Sequence, residues 1–469
     1  MSVSVDILDQ IKKLLGQGGY IEGDAMQPYL TSWRNGWTGK SPLIALPNST
    51  EQVSALVGLC HRHQIPMVPQ GGNTGLVGGS IPTADNSQIV INLSRMNKIR
   101  EIDATGSLVT AEAGVILQTL QETAADAGML FPLSMASEGS AEIGGAISTN
   151  AGGTAVLRYG NMRDLVVGIE AVLPNGEIFH GLKKLAKDNS GYNIGKYLIG
   201  AEGTLGIVTA AVLKLFPALQ QKVTAVIAVA EVEMALELLQ QFRREAAEYL
   251  TAFEIMSQQA LQLVVKHITG ARFPGQTDAP YYLLVELGST SKTIPLRAIM
   301  EDLAATAYDN GKILDAVIAE NEAQAKAFWH LREHISEAIR KTGPGIHFDI
   351  SLPLSQLANF LGRMDPQIKI LAPDILLAPF GHIGDGNLHY NMCFATLLAN
   401  FEGLKKRIKE MVYSDVSRRC GSISAEHGIG IERKAELAAV KSTEELALMK
   451  KIKRAFDPDN LMNPGKIFD

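Results

Sequence analysis

Two short motifs in the second half of the chain hold side chains that bind metals or move protons. They read APFGHIGDGNLHYN at 378–391 and SAEHGIGIERK at 424–434. If LHYN is a strand, His389 and Asn391 point to one face, and His382 on the preceding turn can fold back onto that face. Two neutral imidazoles and a carboxylate are typical of a zinc or manganese site. HxxxxxxH is not itself a metal signature, so histidines that are hydrogen-bonded within a core or turn are the alternative.

Glycine-rich segments are the second chemical feature. Four of them lie within the first 210 residues, and they read PQGGNTGLVGGS (69–80), SEGSAEIGGAISTNAGG (137–153), LRYGNMRD (157–164) and IGAEGTLGIVT (199–209). No GxGxxG follows a strand and no GxxxxGK[ST] is present, which argues against those two nucleotide sites. The backbone N–H groups of PQGGNTG, with the side chains of Asn73 and Thr74, could form an anion nest for a dinucleotide diphosphate. Tight turns alone are the alternative.

A third feature is a strongly helical stretch, NEAQAKAFWHLREHISEAIRKTG, over 321–343. Arg332 and Ser336 are four residues apart and would share a helix face. A guanidinium offers a planar pair of donors to a carboxylate. An arginine on a solvated helix surface is the alternative.

Several motifs, in order along the chain, resemble one superfamily of flavoproteins. The segments PQGGNTGLVGGS, GSAEIGGAISTNAGG, DNSGYNIGKYLIGAEGTLGIVT and NPGKIF resemble the FAD-binding half of the vanillyl-alcohol-oxidase type. Over nearly its whole length the chain is most similar to the FAD-linked D-2-hydroxyacid dehydrogenases, which include D-2-hydroxyglutarate dehydrogenase, D-lactate dehydrogenase and the glycolate oxidase flavin subunit. The resemblance implies an α+β fold with a two-subdomain FAD-binding domain, a split-βαβ (ferredoxin-like) substrate cap domain and a helical C-terminal segment that returns to the flavin.

The resemblance also assigns cofactor contacts. Some relatives attach the flavin through a histidine where this chain has Asn73, so we expect non-covalent FAD. The diphosphate loop is assigned Pro69, Gly71, Gly72, Asn73, Thr74 and Gly75. The flavin and ribityl chain are assigned Gly139, Ser140, Gly144, Gly145, Thr149, Asn150, Gly152 and Gly153. The adenine side is assigned Ile207, and the isoalloxazine is assigned Asn463.

By the same resemblance, the site for the substrate combines a divalent metal with a histidine base. The metal ligands would be His382, His389 and Glu426, and the base would be His427. The metal would be zinc or manganese. The resemblance assigns the remaining substrate contacts to Arg332, Ser336 and Asn391.

The chemistry expected from these residues is oxidation of a 2-hydroxy acid. A chelated 2-hydroxy acid has a lowered hydroxyl pKa. A histidine, with an ordinary pKa of about 6.5, can accept that proton at neutral pH. The hydride on C2 would pass to flavin N5, which leaves a 2-oxo acid.

One position departs from the pattern of the relatives that use diacids. Those relatives carry a lysine just before D-[IVL]-S-[IVL]-P, whereas this chain reads GIHFDISLP over 345–353, with His347 at that position. His347 is therefore the expected contact for the distal carboxylate of the substrate, since a protonated histidine can pair with a carboxylate, although more weakly than lysine near neutral pH. D-2-hydroxyglutarate or a related diacid is the expected substrate, and D-lactate or another monoacid is the alternative.

The elements that must position these residues follow from periodicity. Strands are predicted over 43–47, 65–69, 88–93, 107–114 and 166–174, and a helix over 51–64 begins at Ser49 and Thr50. After residue 216, two successive βαβ-like units predict the substrate domain. We predict an FAD-binding domain over 1–216, a substrate domain over 217–404 and a C-terminal helical segment over 405–469.

Composition restricts the possible partners and locations. Lysine plus arginine total 43 and aspartate plus glutamate total 49, for a formal charge of −6, which argues against nucleic acid as a partner. The cysteines are Cys60, Cys393 and Cys420, without a CxxC pair, so a reducing compartment is expected. Without a recognisable leader or apolar span, we expect a cytoplasmic protein, with peripheral membrane contact left open.

Other functions were weighed against flavin-dependent oxidation. A non-catalytic flavoprotein subunit of an electron-transfer complex would have no use for the histidine motifs. A metal-dependent hydrolase would leave the glycine segments unexplained. The electron acceptor is expected to be a quinone or an electron-transfer flavoprotein, and a homodimer is compatible with the resemblance.

Overall fold

The computed structural model describes residues 3–32, 36–275 and 277–468. The chain divides into two compact units. The first consists of Met1–Gly153, Tyr159–Ala218 and Glu426–Asp469, and the second consists of Thr154–Arg158 and Leu219–Ala425.

The described part of the chain contains both helices and strands. The helices are α1 Val5–Leu15, α2 Gln27–Leu30, α3 Thr50–Arg62, α4 Leu117–Asp126, α5 Ile143–Thr149, α6 Val156–Tyr159, α7 Met162–Leu165, α8 Gly195–Leu198, α9 Val232–Glu245, α10 Gln258–His267, α11 Leu296–Asp309, α12 Glu322–Glu333, α13 Ile335–Thr342, α14 Leu354–Leu371, α15 Phe401–Arg418, α16 Lys434–Val440 and α17 Thr443–Phe456, with a 3₁₀ turn at Gly23–Met26.

The strands are β1 Tyr20–Ile21, β2 Ile44–Ala45, β3 Met67–Gln70, β4 Ile89–Asn92, β5 Ile99–Asp103, β6 Leu108–Glu112, β7 Met129–Leu130, β8 Val166–Val172, β9 Ile178–Gly181, β10 Ile207–Lys214, β11 Phe216–Pro217, β12 Gln221–Val229, β13 Leu250–Ser257, β14 Tyr281–Ser289, β15 Asp315–Ile318, β16 Gly345–Ile346, β17 Ile350–Ser351, β18 Leu376–Leu377, β19 Phe380–Gly381, β20 Asn387–Leu388 and β21 Met392–Cys393.

The first unit has two main sheets, which give it two subdomains. One sheet has the order β1-β2-β4-β3, in which β2 and β3 both run parallel to β4. The other has the order β5-β6-β10-β8-β9 and is antiparallel throughout. The predicted helix over 51–64 is α3. It begins where Ser49 accepts a hydrogen bond from the Gln52 N–H, and it buries Val53, Leu56 and Cys60 against the first sheet.

The second unit is organised by one antiparallel sheet with the order β15-β12-β14-β13-β19. Its first four members reproduce the split-βαβ topology that the sequence predicts, because α9 follows β12 and α11 follows β14. Strand β13 is buried along its whole length. Its alternate residues therefore serve two faces: Phe253 packs edge-on against Phe242 of α9, and Met256 lies in the cluster that includes residues of α10, α12 and α13.

The division after residue 425 differs from the predicted division after residue 404. Helix α15 belongs to the second unit because Ile408, Val412 and Val416 are buried, and because Tyr413 packs edge-on against Phe348 at 5.3 Å. Polar composition suggested a separate segment, but one buried face is enough to fix this helix.

Two local predictions also differ from the structure. The single helix predicted over 321–343 is two helices, α12 and α13, with His334 between them at φ −91° and ψ 3°. The strand predicted for LHYN stops at Leu388, and the Asn391 N–H bonds to the His389 carbonyl in a turn before β21 begins. Strict alternation therefore does not hold for His389 and Asn391.

Among the described residues, no helix has both the length and the apolar character that crossing a bilayer requires.

Candidate functional site

The first and second glycine segments pack directly on each other in the first unit. A Cβ atom on Gly72 would lie 1.9 Å from the Ser140 carbonyl oxygen, and one on Gly71 would lie 3.2 Å from Glu142 Oε2. Such distances exclude any side chain larger than hydrogen at Gly72. The bare backbone of the first loop is therefore required partly by its approach to the segment at 139–145.

The fourth glycine segment meets the motif that follows Ala425. Glu202 is in a left-handed conformation (φ 51°), and its carboxylate accepts the N–H groups of Ile429 at 2.8 Å and Gly430 at 2.7 Å. Burial raises the pKa of Glu202, while those two N–H groups and the charges of Arg433 and Lys466 oppose the rise. This carboxylate fixes the turn that comes directly after His427.

The C-terminal motif closes the same cluster. Asn463 Nδ2 donates to the carbonyl oxygens of Gly79 at 2.9 Å and Glu202 at 2.8 Å, so it ties the first glycine loop to the fourth. Lys466 donates to the Ile81 carbonyl at 2.7 Å. The sequence assigned Asn463 to the isoalloxazine, and these contacts place its side chain beside the first and fourth glycine segments.

Some predicted cofactor residues have structural roles of their own. The Asn73 side chain donates to the Pro28 and Thr31 carbonyls, each at 3.1 Å, and accepts from Ser80. Asn150 accepts from the Arg163 N–H. The Asn73 amide and the Asn150 amide oxygen are thus bound within the protein, so the Asn73 amide nitrogen already has carbonyl partners.

The predicted flavin-side glycines also divide into two kinds. A Cβ atom on Gly144 would lie 2.7 Å from the Ala113 Cβ, and one on Gly153 would lie 2.0 Å from the Ser134 oxygen, so both permit close backbone packing. At Gly75 and Gly145, an added Cβ would meet nothing within 4 Å. The remaining predicted positions lie in or beside the same elements: Pro69 in β3, Thr74 in the first loop, Gly139 and Ser140 before α5, Thr149 at its end, Gly152 after it, and Ile207 at the start of β10.

The third glycine segment, at 157–164, has a local structural role. Asn161 and Asp164 form a reciprocal capping box at the start of α7. Gly160, at φ 77°, supplies the left-handed turn that leads into it. These contacts are the ones that the tight-turn alternative predicts for this segment.

Glu142 is a buried acid that the sequence prediction missed. It is 6% exposed, its Oε2 has no hydrogen-bond partner among the described residues, and it makes no side-chain bond to α5, which it precedes. Burial raises its pKa to about 8. At neutral pH it is therefore a neutral carboxyl group that can donate a hydrogen bond beside the first glycine loop.

These residues fit a dinucleotide whose diphosphate is held by backbone. The loop at 69–75 has no side-chain cation, and the raised pKa of Glu142 keeps its carboxyl group neutral. Backbone donors and neutral polar groups suit a diphosphate without a bound magnesium ion.

In the second unit, Glu254, Arg332 and His382 form one buried cluster. The sequence predicted site roles for Arg332 and His382 but not for Glu254. Glu254 is fully buried and accepts from Arg332 Nε at 2.7 Å and from His382 Nδ1 at 2.6 Å. Although burial alone would raise the pKa of Glu254, its interactions with His382 and Arg332 lower it below its ordinary value. The Arg332 guanidinium also stacks over the Phe380 ring at 4.7 Å.

His389 has a similar arrangement. Its Nδ1 is 3.8 Å from Oδ1 of the fully buried Asp349, which also accepts from Asn387 Nδ2 at 3.0 Å. The rings of His382 and His389 have centroids 5.5 Å apart. The bond between His382 Nδ1 and Glu254 matches the way in which metal-binding histidines are supported in proteins, whereas the 3.8 Å between His389 Nδ1 and Asp349 is longer than a hydrogen bond.

The remaining predicted substrate contacts, Asn391, His347 and Ser336, differ in how buried they are. Asn391 is buried and its Oδ1 accepts the Phe348 N–H at 3.2 Å. His347 is half-buried beside β16. Ser336 is exposed and lies on α13, whereas Arg332 is buried and lies on α12, so the expected common helix face is wrong. The chain is interrupted at His334, and the interruption rotates the two positions apart.

Glu426 and His427 begin the last segment of the first unit. They follow Ala425, which is the last residue of the second unit. The Ala425 N–H donates to the carbonyl of Asp349, which lies in the same unit two residues after His347. The peptide bond between Ala425 and Glu426 is therefore the point at which the chain leaves one unit for the other.

Four acids that organise these sites were missed by sequence reasoning. Glu254 and Asp349 carry a weak signal, because each is a single charge inside an otherwise apolar run, TAFEIM and FDISL. Glu202 and Glu142 sit within the glycine segments, where a charge is unremarkable. A lone charge in a strand can be exposed or buried, and only packing decides which.

Comparisons with known proteins support the cofactor reading. Residues 41–181 match the family described as FAD binding domain, and residues 218–467 match FAD linked oxidases, C-terminal domain. The chain is 37% identical over 457 residues to a mitochondrial D-2-hydroxyglutarate dehydrogenase of Arabidopsis thaliana, covering 97% of this chain and 80% of the relative. It is 37% identical over 448 residues to a putative D-lactate dehydrogenase of Schizosaccharomyces pombe, covering 92% and 83%.

A solved structure shares the fold. Crystalline p-cresol methylhydroxylase with bound substrate superposes with a TM-score of 0.76 at 16% identity, over 100% of this chain and 98% of the other. The fold is therefore of the vanillyl-alcohol-oxidase type, as the sequence predicts.

Replacing Glu202 tests its role in holding the turn after His427. In Glu202→Gln, one of the two N–H groups would face an amide NH₂ rather than an oxygen, and an unsatisfied buried donor costs about 1–3 kcal/mol. We expect a lower Tm and faster proteolysis near 428–430. Glu177→Gln, at an exposed carboxylate of the same unit, is the control. Equal Tm values for the two variants would contradict this role.

Replacing Glu142 tests its neutral state. Between the ordinary glutamate pKa and about 8, the folded chain binds the proton that the unfolded chain has lost, so the free energy of unfolding should decrease as pH rises. The affinity for added FAD should also decrease as pH passes about 8, because a charged carboxylate would then face a diphosphate. Glu142→Gln should remove both pH dependences and keep FAD affinity. A variant with the wild-type pH profile would show that another group titrates.

Proposed function

The chain belongs to the family of FAD-linked oxidases, and we propose from that premise that it is an FAD-dependent dehydrogenase that oxidises a D-2-hydroxy acid to the 2-oxo acid. D-2-hydroxyglutarate or a related diacid is the proposed substrate. The name of the Arabidopsis relative and the match to both FAD-linked domains support the reaction class.

The observation that carries the proposal is the buried state of Arg332. A helix arginine is usually solvated, but this one is 8% exposed, is held through Nε by Glu254 and lies on the Phe380 ring. The bond at Nε leaves its two terminal nitrogens as the fork that can bind a substrate carboxylate. Such a buried and oriented guanidinium is expected in a site that recognises an acid.

In the first unit, the backbone of the loop at 69–75, with Glu142 and Asn463, would hold FAD non-covalently. Bound FAD supplies a two-electron acceptor for the hydride on substrate C2. The protein's part is to orient the substrate carbon and to remove the hydroxyl proton.

In the second unit, His382 and His389 would hold a divalent metal, zinc or manganese, and Glu426, directly beyond Ala425, would be the third ligand. The donor set fits, because neutral imidazoles with carboxylates behind them are common in such centres. A metal there supplies a Lewis acid for the substrate hydroxyl. His427, next to Glu426, would accept the hydroxyl proton, since histidine can take up a proton at neutral pH. Asn391 would contact the substrate.

A monoacid such as D-lactate is the second candidate. It is favoured by His347, which stands where diacid-using relatives carry a lysine, and by the equal identity to the relative named as a putative D-lactate dehydrogenase. The electron acceptor, a homodimer and a cytoplasmic location stay predictions from the sequence, and the Arabidopsis relative is named as mitochondrial.

The first test is anaerobic reduction of the flavin by separate D and L forms of 2-hydroxyglutarate, lactate and malate, before and after treatment with a chelator. We expect D-2-hydroxyglutarate to bleach the oxidised-flavin band fastest, and we expect the chelator to stop it. Bleaching by D-lactate alone would replace the diacid with a monoacid. A flavin that none of these acids reduces would favour the non-catalytic subunit.

The second test concerns the proposed base. His427→Ala should slow flavin reduction by about 10²–10⁴-fold, the usual contribution of a general base, while the ratio of FAD to protein stays unchanged. His63→Ala, at an exposed histidine of the first unit, is the control. Reduction of the His427 variant within a few-fold of the wild-type rate would remove this residue as the base.

A further inference from the structure

Glu254 is connected to two different parts of the proposed site at once. One carboxylate oxygen, Oε1, lies 2.6 Å from His382 Nδ1, and the other, Oε2, accepts from Arg332 Nε at 2.7 Å. The side chain is 1% exposed, so water does not compete for either oxygen. No step of the proposed reaction uses Glu254.

The position of Glu254 follows from the sheet. Strands β13 and β19 pair antiparallel, with Ile255 opposite Gly381 and Met256 opposite Phe380. The same register, carried one residue further, sets Glu254 opposite His382. Strand pairing therefore brings the Glu254 backbone opposite His382, and the length of the glutamate side chain completes the contact.

Helix α12 supplies the second partner. Trp329 and Arg332 are three residues apart and share a face of α12. Trp329 Nε1 reaches Glu286 on β14 at 3.2 Å, and Arg332 reaches Glu254 on the neighbouring strand β13. The helix thus places two side chains over two buried glutamates, but only one of those acids also bonds a histidine among the described contacts.

Each bond fixes one property of its partner. A carboxylate oxygen 2.6 Å from His382 Nδ1 favours the tautomer in which Nδ1 carries the proton, and Nε2 is then the nitrogen that can bind a metal. Because Nε of Arg332 donates to Glu254, the Nε edge of the guanidinium group faces that carboxylate. Stacking on the Phe380 ring restricts rotation of the guanidinium plane.

We propose that Glu254 is a positioning residue that joins the metal side and the carboxylate side of the substrate site, by fixing the tautomer of His382 and the orientation of Arg332 together. This inference rests on the proposed function. One carboxylate holds both groups, so a disturbance on one side is transmitted to the other. Metal affinity and substrate affinity therefore depend on the same side chain.

Loss of stability alone cannot test this role, because breaking any buried ion pair destabilises a protein. The matched control is Glu286→Gln, which alters a buried glutamate of the same sheet that bonds Trp329 and Thr251. The test compares Glu254→Gln with Glu286→Gln in the full-length FAD-loaded protein. The readouts are the Kd for Zn²⁺ from chelator competition, KM and kcat for D-2-hydroxyglutarate, and Tm.

For Glu254→Gln we expect Zn²⁺ affinity to fall by about 10–100-fold, the usual effect of removing the carboxylate behind a ligating histidine. We also expect KM to rise by about tenfold or more, because glutamine has only one acceptor oxygen and either His382 or Arg332 then loses its hydrogen-bond acceptor. Glu286→Gln should lower Tm without either change. A Zn²⁺ Kd and KM for Glu254→Gln within twofold of the control values would overturn the proposal.

Two further measurements keep the test decisive. If Glu254→Gln does not fold, Glu254→Asp retains the charge but shortens the reach, and the same loss of Zn²⁺ affinity is expected. The double variant Glu254→Gln/Arg332→Lys should show non-additive effects on KM, and strictly additive effects would overturn the joint role.

The Zn²⁺ measurement separates this inference from the proposed function. It needs no turnover, so a chain that oxidises no 2-hydroxy acid can still show the difference between Glu254→Gln and its control. A wild-type chain that binds no Zn²⁺ would overturn the part of the inference that concerns His382.

Discussion

A carboxylate that is removed from water must find hydrogen-bond donors within the protein, and this requirement organises both units. In the first unit, Glu202 takes the N–H groups of Ile429 and Gly430, residues more than two hundred positions away in sequence. In the second unit, Glu254 takes Arg332 and His382. In each case the donors belong to segments that hold proposed site residues, so the hydrogen bonds that satisfy the acid also position those segments.

The glycine loops depend on a complementary constraint, which is space. Gly72 can approach the Ser140 carbonyl, and Gly144 can approach Ala113, only because neither residue has a side chain. The Asn73 amide already donates to the Pro28 and Thr31 carbonyls, so the proposed diphosphate site depends on backbone donors of this loop. Backbone N–H groups of a bare loop can hold an anion without a lysine.

The two units supply different groups to the proposed reaction. The first provides the cradle for the cofactor, and the second provides Arg332, His382 and His389, the groups that would bind an acid and a metal. The histidine proposed as base and the third proposed ligand follow Ala425, where the chain passes from the second unit to the first. Oxidation of a hydroxy acid requires both contributions, because the hydride and the proton leave neighbouring atoms of the substrate.

From periodicity, the sequence by itself predicted the split-βαβ order of the second unit, because the spacing of apolar residues is local and can be read without knowing what packs against what. The vanillyl-alcohol-oxidase-type fold and the FAD cofactor were predicted from the resemblance of ordered motifs to FAD-linked dehydrogenases. The tertiary structure alone decided that α15 belongs to the second unit, that His334 separates Arg332 from Ser336, and that LHYN is not a continuous strand. It also revealed Glu142, Glu202, Glu254 and Asp349. A single acidic letter in a sequence does not say whether it faces water or a distant donor, because that depends on strand register and on packing between remote segments.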